Sequence, residues 1–190
     1  MSYTSHKSHK ISARCAIITT SDTRTLSEDE SGAFLEKALS AAGHQITAHL
    51  IVPNNSSRIM AAILEVLGNR EPQIENRESG ARFASRESRI SNSENADVVI
   101  ITGGTGISRK DVTIETVAPL LTKQIQGFGE MFRALSFAEI GSGAMMSRAI
   151  AGLIGTKVVF CTPGSLNAVK LAAEKLIIPE LSHLVWEATK

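Results

Sequence analysis

The sequence predicts a three-layer α/β domain: a doubly wound, mostly parallel sheet with helices on both faces. Three observations predict it. Short unbroken apolar runs rich in β-branched residues, Val98–Ile101 and Lys157–Cys161 foremost, have the pattern of parallel strands covered on both sides. Stretches with apolar residues at helical spacing alternate with these runs. A glycine-rich loop, Thr102-Gly103-Gly104-Thr105-Gly106, follows one strand at once and precedes a helix, which places a ligand at the carboxyl edge of an open sheet.

In chain order, residues 1–12 read as a flexible polar tail whose His6 and His9 are solvated, and residues 13–190 as a single domain. Ala13–Thr20 is the first strand and ends in Ser21-Asp22-Thr23-Arg24. The acidic segment Leu26–Gly32 leads into a helix with Phe34, Leu35, Ala38, Leu39 and Ala42 on one face and Gly43 as its stop. Asp29 and Ser31 fall at the start of that helix, where capping is the plain role of each. Gln45–Val52 is a second strand. Pro53-Asn54-Asn55-Ser56 is an N-cap turn for a helix carrying Ile59, Ile63, Leu64 and Leu67.

From 69 to 95 the composition changes, with arginines and glutamates in balance among Ser, Asn and Gly. Such a segment cannot bury enough surface to offset its ordering entropy, so 69–95 reads as a polar, mobile insertion with room for a short helix or ribbon. Its functional alternative is a lid that supplies an arginine to a bound phosphate.

Beyond the glycine loop, Thr113 is placed to cap a helix running to about Leu121. Gly127 and Gly129 bracket Phe128 ahead of a helix through Met131, Leu135 and Phe137, which Gly141-Ser142-Gly143 breaks. Arg148 lies in the mostly apolar stretch Ala144–Leu153. An arginine there is costly to bury unpaired, so it meets either a carboxylate or an anionic ligand. The strand at Lys157–Cys161 delivers Thr162-Pro163-Gly164-Ser165 to its carboxyl end, and Ser165 or Asn167 caps the next helix, with Val169, Leu171, Ala172, Leu176 and Ile177 in the core. A terminal helix, Leu181–Ala188, carries Trp186 and a His183 satisfied by packing.

Three glycines, Gly103, Gly104 and Gly106, let backbone N–H groups approach an anion closely, so a phosphate suits this loop. The loop is not a Walker A motif, because Ile107 and Ser108 follow the last glycine where Lys and Ser/Thr are required. Neither is it a dinucleotide fingerprint, since Arg109 takes the place of the third glycine. A glycine-rich turn with solvated charges is the alternative on the glycines alone.

Composition narrows the partners. The 190-residue chain is 43% hydrophobic with a formal net charge of +1, and no basic run or aromatic ladder suggests nucleic acid. The N-terminus has no apolar core of a signal peptide, and no stretch is long and apolar enough for a membrane span, so a cytoplasmic location is expected. Cys15 and Cys161 sit in apolar strand-like runs without metal-ligand spacing and read as reduced core thiols.

Read together, these motifs resemble the MoaB/MogA family of molybdenum cofactor biosynthesis proteins, related to the molybdopterin-binding domains of gephyrin and its plant homologues. The resemblance rests on Ser21-Asp22, Asp29-x-Ser31-Gly32, Thr102–Gly106 through Asp111-Val112-Thr113, Gly127-Phe128-Gly129-Glu130, Ser147-Arg148 with Ala151-Gly152, and Thr162-Pro163-Gly164-Ser165. The run from Gly127 to Leu153 resembles the MoaB branch in particular.

The resemblance implies a trimeric or hexameric assembly, and a site for the dithiolene pterin molybdopterin formed by Ser21, Asp22, Ser31, Gly32, Gly103, Gly104, Thr105, Gly106, Ser147, Arg148, Pro163, Gly164 and Ser165. It implies adenylyl transfer, in which ATP and Mg²⁺ place AMP on the pterin phosphate and pyrophosphate leaves. Asp111 corresponds to the family's essential carboxylate, holding or orienting Mg²⁺. Asn54 stands where active relatives carry an aspartate, and offers the metal a carbonyl oxygen without charge. Thr113-Ile114-Glu115 replaces the family's Thr-Pro-Glu. A non-catalytic protein that binds molybdopterin, or delivers it to another cofactor enzyme, is the second reading.

Overall fold

The computed structural model describes residues 11–68, 87–90 and 95–190, with residues 87–90 given by their backbone. Most of the expected tail and most of the polar insertion at 69–95 lie outside the described residues. Ile11 and Ser12 do pack: the Ser12 hydroxyl donates to the Gly43 carbonyl and that of Ser182 to the Ile11 carbonyl.

Strands β1 (Arg14–Thr20), β2 (Gln45–Val52), β3 (Glu87–Ile90), β4 (Val98–Thr102), β5 (Lys123–Gln124), β6 (Ile150–Ile154) and β7 (Lys157–Thr162) form a single seven-stranded sheet in the order β3-β2-β1-β4-β7-β6-β5. The four central strands β2, β1, β4 and β7 are parallel. Both margins are antiparallel, β3 on β2 at one side and β6 and β5 beyond β7 at the other. The doubly wound, mostly parallel arrangement therefore holds at the centre. The stretch 144–153 is divided, its first part a 3₁₀ turn and its second the strand β6.

Helices α1 (Glu30–Ala41), α4 (Gln126–Ile140), α5 (Leu166–Ala172) and α6 (Ile178–Ala188) pack with one set of alternating strand residues, Cys15 and Ile17, Val98 and Ile100, Val158 and Phe160. Helices α2 (Ser56–Leu67) and α3 (Thr113–Val117) pack with the other set, among them Ile18, Leu50 and Ile101. Two-sided burial explains why the strands read as unbroken apolar runs. A π-helical turn at Ala173–Ile177 joins α5 to α6 without a break. At the amino end of the sheet Asp97 accepts from Arg14 Nε and Nη2 and from Lys157 Nζ, tying three strand starts together.

Two helix caps match the expectation and one does not. Asp29 caps α1 by accepting from the Gly32 N–H, and Asn55 caps α2 through the Arg58 N–H. Thr113 is not a cap. Val112 takes the N-cap position of α3, and the Thr113 hydroxyl donates instead to the Gly103 carbonyl at 2.8 Å. The helix stops at Val117, because Pro119 continues the chain as a 3₁₀ turn. Ser165 is the N-cap residue of α5, without a side-chain cap bond.

Candidate functional site

From β1 the chain winds to β2 on one side, while β4 lies on the other, so the loops leaving the carboxyl ends of β1 and β4 diverge. Open α/β sheets bind their ligands in such a crevice. Here it is a cavity of ≈ 580 Å³ walled by Ser21 and Arg24 after β1, Gly103–Gly106 and Asp111 after β4, Met146–Arg148 before β6, and Pro163–Ser165 after β7.

The glycine loop is shaped by close approaches that a side chain would block. Gly103 has φ +89°, and a Cβ there would meet the Thr20 carbonyl oxygen at 2.5 Å. Its N–H donates to the Thr162 carbonyl, and the Thr113 N–H and hydroxyl hold the carbonyls of Gly104 and Gly103. The loop is thus pinned to β7 and α3. A Cβ on Gly104 would come within 2.6 Å of Asn54 Oδ1, and one on Gly106 within 2.6 Å of Asp111 Oδ2. Bare backbone is what lets these two side chains close on the loop.

Asp111 lines the cavity and accepts the Ser108 N–H on Oδ2 at 3.1 Å. Asn54 lies behind the wall, its Oδ1 facing the Val112 N–H at 3.4 Å and its own N–H donating to Asp22 Oδ1 at 2.9 Å. Asp22 is likewise outside the wall. Ser31 acts from behind, its hydroxyl donating to the Gly164 carbonyl at 3.1 Å. Gly32 also lies behind the wall, closely packed against His49 and Asp29. Of the substrate residues expected from sequence, Ser21, Gly103, Gly104, Thr105, Gly106, Ser147, Arg148, Pro163, Gly164 and Ser165 share the cavity.

Arg148 meets a carboxylate. Its Nη2 donates to both oxygens of Glu115 and its Nε to the Thr105 carbonyl. Slight burial raises the Glu115 carboxyl, but the hydrogen bonds and charge of Arg148 outweigh it and hold the group below the usual carboxylate range.

Sequence reasoning missed a buried network beneath the cavity. His49 on β2 faces Asp29 Oδ2 with Nε2 at 2.9 Å and Glu36 Oε1 with Nδ1 at 3.0 Å. Asp29 also accepts from the Thr19 hydroxyl and the Gly32 N–H. Burial alone would raise the Asp29 carboxyl, yet these donors and the charge of His49 lower it. A polar His49 within the otherwise apolar second half of β2 was the available signal. Arg24 was missed as well: its position just past a strand end pointed to the edge, but its carboxylate contact comes from another element.

Among the described residues no three His, Cys, Asp or Glu side chains cluster as a metal cage. Mg²⁺ does not need one, since it takes one or two protein carboxylates and fills its shell with phosphate oxygens and water. Asp111 fits that pattern, with one oxygen bonded to the backbone and the carboxylate exposed to the cavity. The hydroxyls of Thr102 and Thr162, neighbours across β4 and β7, are buried without a partner below the loops. Such atoms are commonly met by ordered water or ligand.

Fold, crevice and glycine loop define an α/β protein with an open crevice at the switch point of its sheet, the place where such folds take their ligands. Residues 83–183 match the family described as "Probable molybdopterin binding domain". Molybdenum cofactor biosynthesis protein B of Bacillus cereus is 46% identical over 189 residues, 98% of either chain, and that of Bacillus subtilis 45% identical over 93% of this chain and 91% of its own. The crystal structure of a molybdenum cofactor biosynthesis protein B is 45% identical, with a TM-score of 0.79 over 95% of this chain and 98% of that one. The tungsten cofactor synthesizing protein MoaB from Pyrococcus furiosus is 34% identical, with a TM-score of 0.74 over 94% and 98%. The chain belongs to the MoaB family of molybdenum cofactor biosynthesis proteins. No helix among the described residues is long and apolar enough to cross a membrane.

Proposed function

We propose that this protein binds molybdopterin in the crevice and adenylylates it with Mg-ATP. The observation that carries the reading is the glycine loop, which turns bare backbone toward a cavity that also presents Asp111. In the reaction a pterin phosphate oxygen attacks the α-phosphorus of ATP, the bond to the bridging oxygen breaks, and pyrophosphate leaves. The Gly103 N–H is taken by the Thr162 carbonyl, so the other backbone N–H groups of the loop donate to phosphate oxygens, and Thr105 and Ser165 border the same space as hydroxyl donors. Asp111 would hold Mg²⁺, which, when bound, neutralises phosphate charge. Asn54 is placed to brace Asp22 and the start of α3, and its carbonyl is the second candidate ligand.

A carrier that binds the pterin without turnover is the second reading, favoured by the uncharged Asn54. Pyrophosphate release from purified protein mixed with molybdopterin, ATP and Mg²⁺, followed alongside pterin binding, separates the two. Release above a protein-free control supports adenylyl transfer, and binding without release supports the carrier.

The working form is a homotrimer or homohexamer in the cytoplasm. What supports assembly is the exposed apolar surface of α4 and the turn after it, where Phe137 and Met145, 63% and 82% exposed, border one groove.

A further inference from the structure

The pocket has two arginines in its wall, and they are not equivalent. Arg148 gives Nη2 to Glu115 at 2.7 and 2.8 Å and Nε to the Thr105 carbonyl, so its charge is matched. Arg24 makes one long hydrogen bond, Nη1 to the Gly164 carbonyl at 3.4 Å, and its Nη1 lies 3.9 Å from Asp29 Oδ1. Among the described residues these are the only polar contacts of its guanidinium. Arg109 and Lys110 lie outside the cavity wall.

The Arg24 side chain is 43% exposed, while that of its carboxylate neighbour Asp29 is fully buried. A buried carboxylate is costly unless donors and positive charge surround it. Asp29 has the Thr19 hydroxyl and the Gly32 N–H as donors, and the His49 ring at 2.9 Å. His49 in turn faces Glu36 on its other nitrogen. The ring is thus held between two carboxylates, one at each nitrogen. The Arg24 backbone is also fixed, its N–H donating to Ser21 Oγ at 3.0 Å.

We propose that Arg24 is the phosphate-contacting cation of this pocket, aimed across its mouth by buried Asp29, with His49 as the positioning residue that sustains the Asp29 charge. This rests on the reading of the crevice as a phosphate-ligand site. The phosphate belongs either to the pterin or to the nucleotide. A guanidinium in a partly enclosed site donates two parallel bonds to phosphate, a strong and directional contact.

The test is titration of the full-length chain with molybdopterin alone, with Mg-ATP alone and with inorganic pyrophosphate, for wild type, Arg24→Gln, Arg24→Lys, His49→Gln and the Arg24→Gln/His49→Gln double variant. Arg24→Gln is expected to weaken at least one phosphate ligand about tenfold or more, and the ligand affected identifies the source. Arg24→Lys recovers part of the loss. His49→Gln reproduces a share of it, and the double variant is no weaker than Arg24→Gln alone.

Arg24→Gln binding all three probes as wild type does would overturn the assignment of Arg24. Additive losses in the double variant would overturn the role of His49. Wild type that binds pyrophosphate through Arg24 but neither pterin nor nucleotide would keep Arg24 and sink the proposed function. Wild type that binds none of the three would overturn both. Because Arg24 is exposed, its variants keep the test decisive even where His49→Gln folds poorly.

Discussion

Arg148 in the crevice wall is joined to Glu115 on α3: one guanidinium nitrogen donates to both carboxylate oxygens at 2.7 and 2.8 Å, although 33 residues separate them in the chain. The pair competes with any anion for Arg148. Glu115→Gln should therefore raise affinity for the pterin phosphate several-fold in a calorimetric titration. Stability should change by no more than about 0.5 kcal/mol, because the pair is largely exposed. A fall in affinity would mean that Glu115 orients Arg148 rather than occupying it.

Asp111 carries the proposed metal-holding role. Asp111→Asn keeps an acceptor for the Ser108 N–H but removes the charge proposed to hold Mg²⁺. Pyrophosphate release should fall by at least about a hundredfold, as expected for loss of a few kcal/mol of transition-state stabilisation. Pterin binding should be largely spared, and undiminished release would refute the role.

Gly103→Ala probes the loop. The positive φ costs an L-residue about 1–2 kcal/mol, and the new methyl would press on the Thr20 carbonyl. Urea unfolding should show a loss of about 2 kcal/mol or more, with pterin affinity falling in step. Retention of both would mean that the loop has slack.

Asp97 sets an acid limit on stability. Burial would raise its carboxyl, but hydrogen bonds from Arg14 and Lys157 and the Lys157 charge bring it down to about 2. A carboxyl depressed on folding stabilises the native state above its unfolded value and loses that contribution as pH falls through the folded one. The contribution, about 2 kcal/mol, is complete above about pH 4 and lost toward pH 2. Asp97→Asn should be less stable by that order at pH 7, and its deficit should shrink across this window in denaturant titrations at graded pH.

Phe137 tests the assembly. It borders an apolar groove of ≈ 390 Å³ with Ala134, Ala144 and Met145, and is itself 63% exposed. Phe137→Glu should leave the fold intact by circular dichroism and yield monomers in light scattering. An unchanged mass would move the interface elsewhere.

What was legible in the sequence was what depends on local periodicity. The limits of β2 read directly from its apolar run, and Gly43 marked the end of α1 because a left-handed residue is needed there. The glycine loop was legible since its function is written in missing side chains. Partners brought together by the sheet were not. Arg148 could be read as needing a carboxylate, but nothing local named Glu115. Asp29 read as a cap and proved to be one, while its second partner, His49, arrives from the next strand. Thr113 misled because a threonine at a helix start is statistically a cap, whereas here the neighbouring glycine carbonyl claims its hydroxyl. β3 could not be placed from composition, as edge pairing asks little of side chains.

Both cysteines are sequestered on opposite faces of the sheet, Cys15 on the side of α1 and Cys161 on the side of α2 and α3. Burial pushes the Cys15 thiol up to about 12, aided by the nearby Asp97 charge, and raises that of Cys161 as well. Neither can present a thiolate at neutral pH. For a chain of this family the consequence concerns a dithiolene ligand. Where an oxidant such as dioxygen is present, its two sulfurs would form mixed disulfides with a reactive cysteine, and without one they would share a thiophilic metal with it. With both cysteines protonated and out of reach, the protein offers a bound dithiolene no thiolate of its own.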